Sequence, residues 1–276
     1  MERIKQAVEK ARENRDMLRE VVPHELDIAS TIKLDNETRQ PGPGQVQYTK
    51  TRTVPIDERV FKKNRIIANS DDGSPVSNAY KMLRTRLLQQ IKKNQWNTIG
   101  ITSPGIGEGK TLTAVNLALS LAVEGNHTVL LADFDLRYPS VASKFDYEPE
   151  YDLSHYLFEG VPLSDVLFNP SIERLVVLPG GRRIPNSSET LVSAEVSQLV
   201  QDIKSRYASR IIIFDLPPLL ATDDVLAFSP LLDAALLVVE DGKTRQEELS
   251  RSLEMLQSVE VAGVVLNKTN EKLDSY

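Results

Sequence analysis

Short runs of consecutive apolar residues alternate with stretches of helical periodicity from position 97 to near the end of the chain. The runs are "NTIGIT" at 97–102, "TVLLAD" at 128–133, "LVVLP" at 175–179, "RIIIFD" at 210–215, "AALLVVE" at 234–240 and "VAGVVLN" at 261–267. Continuous apolar strands separated by helices are typical of a parallel sheet that is covered on both faces. We therefore predict an α/β fold with a mostly parallel sheet and helices on both faces.

The first third of the chain has a different pattern. Residues 1–21 place Ile4, Val8, Ala11 and Leu18 near one stripe among many charged residues, which predicts a helix. It could be a solvated helix docked on its own protein or an interaction helix for a partner. The stretch that follows is punctuated by "ETRQPGPGQ" and "NSDDGSPVS", so we predict a mostly extended linker. The predicted organisation is a helix at 1–21, a linker at 22–76, one domain at 77–270 and a tail at 271–276.

The composition of the chain argues against several classes of function and of binding site. The 276 residues are 41% hydrophobic and 26% charged, which is ordinary for a globular protein. The net charge of −6 provides no basic field, so no nucleic-acid partner is expected. The absence of cysteine excludes disulfides and thiolate metal sites. Because no run approaches the roughly 20 apolar residues of a spanning helix, we expect membrane association only through a partner.

The stretch "SPGIGEGKT" at 103–111 follows the first predicted strand and precedes a predicted helix over 110–124. Gly105, Gly107 and Gly109 allow the backbone to approach an anion closely, and the helix N-terminus directs its positive end at the charge. Lys110 would neutralise the β- and γ-phosphates and the Thr111 hydroxyl would bind Mg²⁺. Pro104 replaces the first glycine of the usual pattern and removes one possible N–H donor. The alternative is a glycine-rich turn that happens to precede a helix.

Acidic residues follow two other predicted strands. Asp133 and Asp135 lie in "LLADFDLR" at 130–137, and Asp215 ends "IIIFD". Ligands of such sheets bind outside the carboxyl ends of the strands, so these acids are expected beside the glycine-rich loop. There they would serve Mg²⁺ and proton handling. A helix-capping role for one aspartate, or a structural role for Asp215, is the alternative.

These three motifs resemble those of bacterial tyrosine kinases that control exopolysaccharide and capsule synthesis. The resemblance extends from about Ser77 to Asn267 and includes "AYKMLRTRL" and "GVVLN". The opening "MERIKQAVEKAREN" resembles the exosortase-associated autokinase branch. The resemblance implies a P-loop ATPase fold related to the chromosome-partitioning and division-site ATPases. Those relatives begin the loop with an extra lysine, where this chain has Gly105, so the kinase branch is favoured over a partitioning ATPase.

The resemblance also implies a role for each site residue, with ATP and Mg²⁺ as cofactors. Lys110 and Asp133 are the expected catalytic residues, with Asp133 near the acceptor hydroxyl. Mg²⁺ is expected at Thr111, Asp135 and Asp215. The nucleotide-binding residues are then Gly105, Gly107, Glu108, Gly109, Lys110, Thr111, Leu112 and Asn267, of which Asn267 is expected to face the adenine.

The chain departs from the family pattern in two places. Family members carry a C-terminal tyrosine cluster that a neighbouring subunit phosphorylates, whereas this chain has Tyr276 alone as candidate phosphoacceptor. An incidental terminal tyrosine is the alternative. The family's ring-forming acid and two arginines correspond to Asn78, Lys81 and Arg84. Lysine does not replace a bidentate arginine, so the expected homo-oligomer need not be the usual ring.

The resemblance implies one function, and the departures from the family pattern support a second. The first is an ATP-dependent protein tyrosine autokinase that regulates exopolysaccharide biosynthesis or export. It would be cytoplasmic and peripheral at the inner membrane, bound to a membrane-embedded polysaccharide chain-length regulator that anchors and activates it. The second is a nucleotide-switched P-loop ATPase scaffold for a polysaccharide assembly complex, with little or no phosphotransfer to tyrosine.

Overall fold

The computed structural model describes residues 51–67, 73–205 and 210–269, all within the unit Gly44–Tyr276. The predicted helix at 1–21 and the tail with Tyr276 lie outside the described residues. The strands are β1 (Arg52–Thr53), β2 (Thr98–Thr102), β3 (Thr128–Asp133), β4 (Phe168–Asn169), β5 (Leu175–Leu178), β6 (Arg210–Asp215), β7 (Ala234–Glu240) and β8 (Glu260–Asn267). A search of the described helices finds none that is long and apolar enough to cross a membrane.

The helices lie between these strands. They are α1 (Glu58–Lys63), α2 (Pro75–Asn94), α3 (Lys110–Glu124), α4 (Val141–Lys144), α5 (Leu153–Glu159), α6 (Leu163–Val166), α7 (Ser187–Leu191), α8 (Ala194–Ser205), α9 (Asp224–Phe228) and α10 (Gln246–Met255), with a 3-10 turn at Ser229–Leu231. Helix α3 is buried along most of its length, because its alanine, leucine and valine side chains leave no polar face.

The strands form one sheet in the order β1-β4-β5-β3-β6-β2-β7-β8. All neighbouring pairs are parallel except β4 and β5. One apolar cluster covers each face of the sheet, so the prediction of a mostly parallel sheet between two helical layers is confirmed. The carboxyl ends of β2, β3 and β6 lie side by side at the centre of one edge.

Strand β8 differs from the expectation of strands buried on both faces. It is the last strand of the sheet, and Val264 and Leu266 are about half exposed. An outermost strand has a neighbour on one side only, so its apolar run does not ensure burial. The periodicity predicts the strand correctly but not its position in the sheet.

The segment before α2 is more ordered than a mostly extended linker. Strand β1 pairs with β4, and α1 follows it with Asp57 as its N-cap. Phe61 and Ile66 are buried in the core cluster that also contains α3 residues. The pairing of Arg52 with Phe168 joins residues 116 positions apart, so the local sequence contains no signal for it. Helix α2 begins at Pro75, because Ser74 caps it and proline is favoured at the first helical position.

Candidate functional site

The phosphate loop, residues 103–109, connects β2 to the N-terminus of α3. Gly107 and Gly109 have φ of 81° and 100°, in the region that glycine adopts without strain. The Glu108 carboxylate turns back and accepts the Gly105 N–H at 2.8 Å, and it also accepts the Thr244 hydroxyl. Glu108, predicted to bind nucleotide, therefore braces the loop internally.

The ends of β7 and β8 support the same loop from the other side. The Asn267 side-chain amide donates to the Glu108 carbonyl at 2.8 Å, and Lys268 Nζ donates to the Gly107 carbonyl at 2.7 Å. Lys243 Nζ donates to the Ile106 carbonyl at 3.2 Å. Glu240 pairs with both lysines, at 3.2 Å and 2.9 Å. Sequence reasoning missed Glu240, Lys243 and Lys268, although polar residues after two strands at the same sheet edge were a usable signal.

Substitution of Gly109 by alanine tests this support. An added Cβ would lie 2.1 Å from Asn267 Nδ2, and the alanine would have to adopt the φ of +100° that glycine has there. Gly160→Ala is the matched control, because Gly160 has φ of +71° with nothing within 4 Å. We expect each variant to lose about 1–2 kcal/mol of unfolding free energy from backbone strain. Gly109→Ala alone should weaken nucleotide binding, by about tenfold or more. Equal affinities of the two variants in a titration would contradict this role of the loop.

Lys110 forms the centre of a charged cluster at the start of α3. Its Nζ lies 2.7 Å from Asp135 Oδ2 and 3.7 Å from Asp215 Oδ1, and its side chain is 12% exposed. Burial alone would lower its pKa, but the charges of Asp215 and Asp135 outweigh burial and raise the pKa of Lys110 above its usual value. Lys110 is therefore a fixed positive charge at the mouth of the loop.

Asp133 and Asp215 are register partners at the ends of β3 and β6. Asp133 accepts the N–H groups of Ser140 and Val141 at 2.8 Å and 2.9 Å. Burial and the neighbouring Asp215 nevertheless raise the pKa of Asp133 to about 8. The pKa of Asp215 is also raised, by burial, against the opposing effect of Lys110. Neither Asp215 oxygen has a partner within hydrogen-bond distance among the described residues.

This arrangement fits a magnesium ion without being a metal site built from protein alone. No group of three or more His, Cys, Asp or Glu in the described part of the chain is arranged to hold a metal. Mg²⁺ in nucleotide sites commonly takes one or two carboxylates and completes its octahedron with water and phosphate oxygens. The unpartnered Asp215 oxygens and the Thr111 hydroxyl, 3.4 Å from Lys110 Nζ, supply such a partial set.

Two cavities meet at this cluster. One, of about 470 Å³, has among its lining residues Gly107, Gly109, Lys110, Thr111, Leu112 and Asp135. The other, of about 430 Å³, reaches Asp133 from the side of α4 and the loop after β5. The structure thus brings most of the predicted nucleotide residues to one cavity. Gly105, Glu108 and Asn267 are not among its lining residues.

Arginines near the site have partners of their own. Arg137 pairs with the buried Asp224, with Nη2 and Oδ1 3.0 Å apart. Arg182 pairs with Glu159 at 3.2 Å, and the Arg183 guanidinium lies over the Tyr138 ring, 4.7 Å from its centroid. Within the described ranges, Lys110 is therefore the cation that contacts the acidic cluster.

Comparison with known proteins identifies relatives of this chain. The AAA domain family matches residues 97–268. The tyrosine-protein kinase YwqD of Bacillus subtilis is 32% identical over 216 residues, which covers 75% of this chain and 90% of that protein. The tyrosine-protein kinase CpsD of Streptococcus agalactiae is 30% identical and covers 71% and 85%.

Solved structures show the same fold. The kinase domain of the Escherichia coli tyrosine kinase ETK is 27% identical with a TM-score of 0.67, covering 82% of this chain and 93% of that domain. The septum site-determining protein MinD of Pyrococcus horikoshii, complexed with Mg-ADP, is 20% identical with a TM-score of 0.52. It covers 64% of this chain and 72% of that protein, and at this identity it shows the fold alone. Both agree with the predicted P-loop ATPase architecture.

Proposed function

Because this chain belongs to the bacterial tyrosine-protein kinases built on a P-loop ATPase domain, we propose that it transfers the γ-phosphoryl group of ATP to its own tyrosines. Protein-tyrosine kinase activity and nucleotide binding follow from the family. The observation that carries the proposal for the site is the cluster of Lys110 with Asp133, Asp135 and Asp215 at the end of the phosphate loop.

The loop and the residues of the cluster have separate roles in phosphoryl transfer. The loop N–H groups and the N-terminus of α3 bind the phosphates, with Gly107, Gly109, Thr111 and Leu112 lining the cavity. Lys110 exchanges its contact with Asp135 for the β- and γ-phosphates, so that its charge meets the charge that develops during transfer. Asp133, on the side of the second cavity, orients the acceptor hydroxyl and accepts its proton.

The metal completes the charge balance. Thr111, Asp135 and Asp215 would hold Mg²⁺, which when bound neutralises negative charge on the β- and γ-phosphates. The Asp215 carboxylate is then stabilised, because its buried oxygens, which accept no hydrogen bond, gain a second cation beside Lys110. Gly105, Glu108 and Asn267 act in this scheme by holding the loop in shape. The predicted contact between Asn267 and adenine stays a prediction.

We further propose that the kinase regulates exopolysaccharide biosynthesis or export. It would act in the cytoplasm at the inner membrane, through a membrane-embedded polysaccharide chain-length regulator as anchor and activator, and as a homo-oligomer. Tyr276 is the candidate acceptor by analogy with the family. These proposals rest on the resemblance and on the names of the relatives.

A nucleotide-switched scaffold is the second candidate, and one observation favours it. Arg84, one of the positions of the ring-forming motif, donates to the Ser120 carbonyl of its own chain at 3.0 Å. With Asn78 in place of the motif's acid, α2 lacks the usual set of charges for assembly. In this case ATP would change partner affinity with little transfer to tyrosine.

One incubation distinguishes the two candidates. The purified chain is mixed with Mg-ATP, and phosphotyrosine and ADP are measured together with nucleotide binding. The autokinase produces phosphotyrosine that disappears in Lys110→Ala. Intact ATP binding without phosphotyrosine, also after addition of the cytoplasmic segment of a chain-length regulator, would instead establish the scaffold.

A further inference from the structure

The second cavity at the site has the character of a groove for a protein segment. It is lined by Asp133, Pro139, Tyr147, Pro149 and Gly180, among others, and measures about 430 Å³, within the range of ligand pockets. The prolines and the tyrosine provide apolar contacts for an aromatic ring. Gly180 keeps it open, because a Cβ there would lie 2.8 Å from Pro139 and 3.1 Å from Asp133 Cγ.

The rim of this groove is acidic. Asp146 and Glu148 line it and are exposed, and Glu150 follows two residues later. Glu150 pairs with Arg52 at the start of β1, with 3.7 Å between Arg52 Nη1 and Glu150 Oε2. An exposed pair of this kind contributes little to stability, so it serves here only to mark a position. It places the beginning of β1 next to the acidic rim.

The sheet topology fixes the direction in which the chain reaches β1. Strand β4 is antiparallel to β5, and β1 is parallel to β4. The chain therefore enters β1 from the edge at which β3 ends and Asp133 lies. Arg52 is the register partner of Phe168 in β4, and Phe168 is the partner of Val177 in β5. Val177 in turn pairs with Leu131 in β3, which lies two residues before Asp133.

These registers give an estimate of distance. Three strand spacings of about 4.8 Å and two residues of rise separate Arg52 from Asp133, which is about 16 Å in total. Tyr48 precedes Arg52 by four residues and extended chain spans about 3.3 Å per residue, so the backbone alone can cover about 13 Å. A tyrosine side chain is longer than the remaining ~3 Å.

We propose that Tyr48 of the same chain is delivered through this acidic groove and is the principal acceptor of the phosphoryl group. Tyr48 is followed by Lys50 and Arg52, whose charges complement Asp146, Glu148 and Glu150. Tyr276 is preceded by Asp274 and would meet the same rim with a like charge. This inference rests on the proposed function, because it uses Asp133 as the acceptor-side carboxylate.

The transfer is balanced within the parts already named. The Tyr48 phenolic oxygen forms a bond to the γ-phosphorus of ATP. The bond between that phosphorus and the oxygen shared with the β-phosphate breaks, and ADP leaves. The phenolic proton passes to Asp133. Phosphotyrosine adds negative charge opposite an acidic rim, so the product is repelled from the groove once it has formed.

The first test maps phosphate on the full chain. The protein is incubated with Mg-ATP for short times, and occupancy of Tyr48 and Tyr276 is measured by peptide mass spectrometry. We expect most of the phosphate on Tyr48, loss of most incorporation in Tyr48→Phe, and retention in the matched Tyr276→Phe. The rate constant should not depend on protein concentration. Affinity for ADP, measured on every variant, confirms that each one folds.

The second test reverses charge at the rim. Glu148→Lys should slow Tyr48 labelling about fivefold or more, since one unfavourable contact of about 1 kcal/mol suffices. Glu254→Lys, on the exposed side of α10, is the matched control and should leave the rate unchanged. Combining Glu148→Lys with Lys50→Glu should restore the rate.

Three results would overturn the inference. Labelling of Tyr276 with Tyr48 unmodified would do so and would leave the proposed kinase function intact. A rate constant proportional to protein concentration would show delivery by another copy and would also overturn it. Phosphotyrosine on no residue of the chain would contradict this inference and the proposed function together.

Discussion

Replacement of Lys110 by methionine should reduce phosphotransfer to tyrosine by a factor of about 10³ or more. Lys110 is the cation that contacts the acidic cluster in the described structure, and methionine keeps its length while removing its charge. The substitution also leaves Asp135 and Asp215 buried without their counter-ion, at a cost of about 3 kcal/mol in unfolding free energy. The nucleotide-free variant should therefore unfold at a lower temperature.

Initial rates of phosphotyrosine formation and thermal unfolding measure these two effects. Lys204→Met is the matched control, because it removes a lysine paired with Asp233 at 3.3 Å, at the start of β7 on the opposite edge of the sheet. That variant should keep its transfer rate. A Lys110→Met protein that retained more than about a tenth of the activity would contradict the assigned role of the charge.

Replacement of Asp215 by asparagine should stabilise the nucleotide-free protein and abolish most of its activity. Burial of the Asp215 carboxylate outweighs its favourable contacts with Lys110 and Thr111, so the charge opposes folding in the absence of a metal. Burial raises the pKa of Asp215 above its usual value, so at pH values between the usual and the folded pKa the native state binds more protons than the unfolded state. Rising pH therefore destabilises the wild type through this group, and the advantage of asparagine grows with pH.

Activity should change in the opposite direction. If Asp215 helps to hold Mg²⁺, asparagine should lower the transfer rate by about a hundredfold or more. Asp224→Asn is the control for stability, because Asp224 is equally buried but hydrogen-bonded to Arg137. It should destabilise the protein, because it removes one partner of the buried ion pair with Arg137. An Asp215→Asn variant that was less stable than the wild type and kept its activity would refute the proposed role of Asp215 as a ligand of Mg²⁺.

The sequence by itself determined the central sheet and the chemistry at its edge. Six apolar runs correspond to β2, β3, β5, β6, β7 and β8 within one or two residues at either end, and α3 has the predicted bounds. A continuous apolar run predicts a buried strand directly, because both faces of a central parallel strand must be apolar. Once the strands are parallel, Asp133 and Asp215 must emerge at one edge, beside the loop that follows β2.

Tertiary structure alone decided how that edge is completed. Strand β4 has only two residues and is antiparallel to β5, so neither the length nor the periodicity of the sequence predicts it. Contacts such as Asn267 with Glu108, Thr244 with Glu108 and Arg52 with Glu150 join residues about 100 or more positions apart. Such contacts have no local signature, because they depend on which strands become neighbours and on the register they take. For the same reason the groove beside Asp133, and the direction from which the chain enters β1, emerge only from the folded arrangement.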